Sequence, residues 1–175
     1  LDGTVPLLFP TVGRLKDDRS LIDGSEFSLR RHRFARTSQF EIVEIGQESC
    51  CLRLRSIRST LDQYPFEFEL DVSYWIKRPK LVIEAAVLNV GKDILPASFG
   101  FHPAFRWPLP YGALRDAHQI RFERPETEAL PTLVDGLLGP RVRPTPLKDR
   151  LMTLRDELFA EGALIFDRLE SRSLE

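Results

Sequence analysis

Between Phe66 and Ile76 the chain alternates, with Phe66, Phe68, Leu70, Val72, Tyr74 and Ile76 interleaved with Glu67, Glu69, Asp71, Ser73 and Trp75. A period of two sends the two sets to opposite faces of a strand, so an aromatic and aliphatic row is expected to point inward and the carboxylates toward water. A helix would scatter that row around its circumference. Leu81 to Leu88 follows after the short link Lys77-Arg78-Pro79-Lys80, with Leu81, Ile83, Ala85 and Val87 on one face, and the two runs predict a hairpin. Asn89-Val90-Gly91-Lys92-Asp93 then supplies turn residues before a third extended run, Leu95 to Phe101. Its Pro96 stands near the start, where a missing ladder donor matters least. Three strands in series predict an antiparallel meander.

Weaker alternation in Phe40 to Ile45 and Cys51 to Arg55, separated by Gly46-Gln47-Glu48-Ser49, predicts another strand pair, and Ile22 to Phe27 reads as a turn between two short strands. Gln119 to Glu123 and Leu164 to Phe166 are short strand candidates. Pro140 to Pro146 contains three prolines and is expected to be an irregular surface connection. Asp149 to Phe159 is the one competing helix: Leu151, Leu154 and Leu158 fall at helical spacing, yet Leu151-Met152-Thr153-Leu154 suits a strand equally. Many short strands joined by polar turns predict an all-β chain, an antiparallel β-sandwich, with residues 1–175 forming one domain.

Composition narrows the classes of partner. The chain carries 25 Lys+Arg against 26 Asp+Glu, a formal charge of −1, so no basic surplus exists to release counterions from phosphates and nucleic acid is not an expected partner. The longest stretch free of Asp, Glu, Lys and Arg, Ile94 to Phe105, falls short of the roughly 20 residues a membrane helix needs, so no membrane association is expected. Cys50 and Cys51 are neighbours whose side chains diverge on a strand, which predicts unpaired thiols and a reducing, cytoplasmic compartment. The opening residue is Leu1 and no signal-peptide pattern follows it, so the chain is expected to be a segment of something longer.

Three histidines can be weighed one by one. His102 lies in Ser98-Phe99-Gly100-Phe101-His102-Pro103-Ala104-Phe105-Arg106-Trp107, where an apolar strand gives way to a proline-limited loop. Two readings stand: a strand-end histidine bonded to a backbone carbonyl, or a proton donor above a sugar site floored by Phe99, Phe101, Phe105 and Trp107. His32, among Arg30, Arg31, Arg33 and Arg36, belongs either to a solvated basic loop or to an anion or polyol site. His118 reads as structural or merely exposed. No zinc, P-loop or α/β-hydrolase spacing is present, and three scattered histidines predict no metal. Val12-Gly13-Arg14-Leu15-Lys16 has too few glycines to cradle a phosphate with backbone amides.

Taken in order, these motifs resemble the aldose 1-epimerase, or galactose mutarotase-like, family, most closely its divergent bacterial branch. Pro6 to Arg14 is similar to that branch's glycine-arginine segment, and Asp23 to Leu29 to its turn and strand. His32-Arg33-Phe34-Ala35-Arg36 is similar to its first histidine motif, and Leu164 to Leu174 to its later strand pair. Phe99-Gly100-Phe101-His102-Pro103-Ala104-Phe105 is the most specific match. The resemblance implies a large β-sandwich, the mutarotase super-sandwich, of which this chain would be a portion incomplete at both ends. It implies a hexose or hexose phosphate as partner, opened and reclosed by proton transfer without metal or organic cofactor.

On the same resemblance His102 is the acid at the ring oxygen, and His32 assists near that atom. Arg14 holds sugar hydroxyls through its planar fork, and Asp167 accepts hydroxyl hydrogen bonds, an exposed Asp167–Arg168 turn being the alternative. Phe105 belongs to the apolar floor. Two departures are visible. Arg33 stands where the branch has glycine, and the family's glutamate base belongs to a segment beyond the later strand pair, with no matching glutamate here. The expected activity is aldose 1-epimerase. A hexose-6-phosphate 1-epimerase, a non-catalytic carbohydrate-binding sandwich and an interaction domain with a degenerate pocket are the alternatives.

Overall fold

The computed structural model describes residues 7–29 and 34–175. Its backbone contacts fall into two compact units, Leu1–Pro103 and Ala104–Glu175. The first contains β1 (Leu7–Leu8), β2 (Arg19–Ile22), β3 (Ser25–Ser28), β4 (Glu41–Ile45), β5 (Ser49–Arg55), the one-turn helix α1 (Arg58–Leu61), β6 (Phe68–Lys77), β7 (Lys80–Asn89) and β8 (Gly100–Phe101). The second contains β9 (Gln119–Arg121), β10 (Leu130–Val134), β11 (Leu137–Arg143) and β12 (Leu151–Thr153). Every strand pair in the two units is antiparallel, and helix among the described residues is confined to α1 and short 3-10 turns.

The meander is β4-β5-β6-β7, four strands consecutive in sequence. Along β6 the alternation does what a period of two requires: Phe68, Leu70 and Val72 are fully buried, while Glu69, Asp71 and Ser73 face the other way. Tyr74 is only partly buried and Ile76 is 52% exposed, so the inward row ends before the strand does. On the polar face Arg53 of β5 lies directly across from Asp71, and its guanidinium grips that carboxylate through two parallel hydrogen bonds. Glu69 bridges Arg53 and Arg55, and Arg55 reaches Glu41 of β4, so one ion-pair network ties three strands together. The Arg53 guanidinium holds the Asp71 carboxyl below its ordinary value.

The core lies on the opposite face. Phe68 meets Phe9 edge-on at 4.8 Å and Phe34 in a stack at 5.7 Å, and Tyr64 packs on Phe66 at 4.9 Å. The buried Tyr64 donates its hydroxyl to the Pro96 carbonyl at 3.2 Å, and burial pushes its pKa up to about 12. Offset and edge-on geometries of this kind suit the ring quadrupoles and add to the burial itself.

Four local expectations are corrected. Leu95 to Phe101 is not a third strand on β7. Only Gly100–Phe101 is extended in a ladder, and it pairs with β1, because Ser98 donates its N–H to Pro10 and Tyr64 holds Pro96. Asp149 to Phe159 forms no α-helix but β12, which pairs with β9, followed by a 3-10 turn at Asp156–Phe159. Pro140 sits inside β11, in a two-stranded sheet with a register irregularity between Pro131 and Leu133 of its partner, where ladder donors are not all required. Leu164 to Phe166 is not a strand.

The end of the chain is instead stitched to β9. Arg121 and Glu175 exchange both backbone hydrogen bonds, and Phe122 bridges Leu174. The side chain of Glu126, 5% exposed, anchors this arrangement by accepting the Glu170 and Ser171 amides and the Ser171 hydroxyl. These hydrogen bonds, the Ser171 hydroxyl first, hold Glu126 below the ordinary glutamate value of 4.5. A carboxylate with a depressed pKa contributes stability that is present above 4.5 and is lost as pH falls through the lower folded-state value. Protection of the Ser171 amide, taken relative to its intrinsic exchange rate, is therefore expected to fall below pH 4.5 in the parent, and in Glu126→Gln to be low already at neutral pH. An unchanged profile in Glu126→Gln would show that the tail is held by its backbone pairing alone.

Candidate functional site

Two short segments of the first unit carry Arg14 and His102. β1 pairs with β8 through Leu7 with Phe101 and Leu8 with Gly100. Past that ladder Ser98 continues the connection: its N–H donates to the Pro10 carbonyl at 2.9 Å, and its Oγ accepts the Val12 N–H at 2.9 Å. Gly100 suits this close approach, since a Cβ there would lie 3.3 Å from Val12 Cγ2, which would have to give by a few tenths of an ångström, and in ordinary contact with Leu8 Cδ1 at 3.6 Å. The glycine-arginine segment and the Phe99 to His102 segment, remote in sequence, thus run side by side.

His102 follows β8 directly at one end of this ladder and is exposed. Its ring is not sealed in the interior. Phe99 and Phe101 beside it form an edge-on pair at 5.0 Å, Phe99 packing on the core and Phe101 42% exposed. Arg14 lies beyond the other end, after Gly13, whose φ of 88° makes the bend in a conformation open to glycine. The Arg14 Nε–H donates to Asp18 Oδ1 at 3.1 Å. No motif marks Asp18, and because the turn that brings it to Arg14 is not helical, its place four residues later is not a helical i, i+4 signal.

Phe105 and Asp167 belong to the second unit. Both are exposed, Phe105 by 83%, and Asp167 sits in the turn with Arg168. Trp107 is tied to Arg115. Its indole N–H donates to the Arg115 carbonyl, Arg115 returns a hydrogen bond to the Trp107 carbonyl, and the guanidinium stacks 3.6 Å from the ring centre. Asp156 grips the same guanidinium, which holds the Asp156 carboxyl below the usual carboxylate range. His118 is structural: Nδ1 lies 2.9 Å from the Leu114 carbonyl and Nε2 accepts the Leu109 N–H at 3.1 Å, which requires the tautomer protonated on Nδ1.

His32 and Arg33 lie outside the described residues. Among the described residues no group of three or more His, Cys, Asp or Glu side chains is placed to hold a metal ion, and no helix is long and apolar enough to cross a membrane.

A family model described as aldose 1-epimerase matches residues 4–168. The LacX proteins of Lactococcus lactis subsp. lactis, plasmid and chromosomal, are 31% identical over 182 residues, which cover 99% of this chain and 61% of each relative. A solved galactose mutarotase related enzyme from Lactobacillus acidophilus superposes with a TM-score of 0.81 at 31% identity, covering 91% of this chain and 53% of that one. A galactose mutarotase-like protein from Lactobacillus casei gives 0.80 at 23% identity, covering 91% and 55%, a likeness of fold alone. The chain therefore spans about three fifths of the length of its curated relatives, and its antiparallel sheets have the galactose mutarotase-like fold.

Proposed function

Because the chain belongs to the aldose 1-epimerase family, we propose that the protein interconverts the α and β anomers of a hexose by acid/base opening and reclosure of the ring. A base removes the C1 hydroxyl proton, the freed electron pair forms the C1 carbonyl, and the bond from C1 to the ring oxygen breaks. His102 delivers a proton to that oxygen as its charge develops. Rotation about the C1–C2 bond presents the other carbonyl face, and reclosure runs the same transfers in reverse. The observation that carries this assignment is the exposed His102 at the end of β8, within the Phe99 to Phe105 motif.

In the same proposal Arg14 binds adjacent sugar hydroxyls, Phe105 offers an apolar face to the sugar, Asp167 accepts from a hydroxyl, and His32 supports the proton transfer at the ring oxygen. The exposure of Arg14, Phe105 and Asp167 supports their roles as contacts for a ligand. The resemblance implies a glutamate as the base, with no matching position found among the 175 residues, which we take as a portion of one mutarotase-like sandwich; their cover of 61% of the relatives' length supports that reading. A cytoplasmic setting accords with Cys50 and Cys51, both free thiols.

The test is anomer exchange, followed by polarimetry or saturation-transfer NMR, with galactose, glucose and their 6-phosphates. It compares this chain with one extended to the length of its relatives. Accelerated exchange is expected in the extended chain only. Sugar binding without exchange in the extended chain would replace the epimerase by a carbohydrate-binding sandwich, and preference for the phosphates would make the substrate a hexose 6-phosphate.

A further inference from the structure

We propose that Asp18 is a positioning residue for Arg14, fixing the plane in which the guanidinium meets the sugar; this rests on the binding role proposed above for Arg14. The contact is a 3.1 Å hydrogen bond from Nε–H to Oδ1, between side chains 40% and 34% exposed. An ion pair so wetted contributes little to folding, so stability does not explain the way its backbone is held.

That backbone is unusual. Asp17 and Asp18 both have left-handed φ, 55° and 54°, a region non-glycine residues seldom enter and that aspartate and asparagine tolerate best. The short turn they form is therefore not a regular helix, and the i, i+4 contact with Arg14 does not come from helical geometry. It comes from three anchors. The Asp18 N–H donates to Leu15 at 3.1 Å, its carbonyl accepts the Leu29 N–H at 2.8 Å, and Leu15 packs against the core while Leu29 is buried within it. The carboxylate thus projects from a backbone tied to the interior on both sides.

Arg14 has a long side chain with many rotamers, and recognition of a sugar by a planar donor set depends on its orientation. Held at Nε by an anchored carboxylate, the guanidinium meets the ligand in one orientation, and the ordering cost falls on the fold rather than on binding. Strained backbone at a ligand-binding segment is where such preorganisation is commonly found.

The test uses the full-length protein and Asp18→Asn, which keeps the left-handed turn and removes the charge. For galactose, KM is expected to rise by about tenfold, with a smaller change in kcat. In an Arg14→Ala background the same substitution should leave KM where Arg14→Ala alone puts it, since Asp18 acts through that side chain. In 15N spectra the Arg14 Nε–H resonance should move in Asp18→Asn, and in the parent it should shift on titration with galactose.

Equal effects of Asp18→Asn in both backgrounds, or none in either, would overturn the positioning role. A parent that catalyses no exchange would remove the epimerase reading by itself. The galactose titration then decides separately, because an Arg14 resonance indifferent to sugar would remove the positioning role as well.

Discussion

His102→Ala in the full-length protein is expected to slow anomer exchange by about 10²–10⁴-fold, the usual contribution of a positioned general acid. The leaving ring oxygen becomes an alkoxide unless a proton arrives as the C1 bond lengthens, and alanine has none to give. Folding should be untouched, since the side chain is exposed and lies just beyond a two-residue strand whose ladder is made by backbone groups. The decisive comparison sets KM beside kcat for His102→Ala and His102→Gln. Glutamine can still donate a hydrogen bond to a sugar oxygen but cannot transfer a proton at neutral pH. It should therefore retain binding while sharing the loss in kcat. Equal exchange rates in parent and His102→Ala would take the acid away from position 102 and with it the centre of the proposed mechanism.

Phe68→Ala is expected to destabilise the first unit by about 3–5 kcal/mol, the range for deleting a fully buried aromatic ring from a core. Phe68 has no solvent exposure, and its ring touches Phe9, Phe34 and Tyr64, so the cavity opens where several rings converge rather than at an edge that can collapse. Denaturant unfolding of the unit checks the value. Ile76→Ala, on the same strand and of the same alternating set but 52% exposed, is the control and should cost far less. Similar losses at the two positions would mean that the alternation along β6 does not mark the core.

The correspondence between period and face was legible at β6, where alternation reported the buried row, and at β7, where Ile83 and Ala85 pack against the core. The turn residues Asp23-Gly24 also announced the β2–β3 hairpin, because both positions need positive φ. Asp135-Gly136 carries the same signature between β10 and β11, a hairpin that its dipeptide alone marks, without clear alternation in the flanking strands. The family, too, was legible, through ordered motifs along nearly the whole chain, and the match over residues 4–168 bears it out.

Local pattern determined the β2–β3 and β6–β7 hairpins and, along β6, the side each residue presents, since alternation and turn conformation are properties of neighbouring residues. Tertiary structure alone decided the partners of strands that no short turn joins. β8 joins β1 instead of extending the meander, because Pro96 and Ser98 are held by Tyr64 and Pro10, groups remote in sequence. Leu151 to Thr153 becomes a strand because β9 offers a ladder that an isolated leucine pattern cannot reveal. The hold of Asp18 on Arg14 likewise depends on Leu29 fixing its backbone from another strand's end. Pairing and side-chain orientation are set by long-range hydrogen bonds and packing, whose free energy belongs to two distant segments at once and is written in neither.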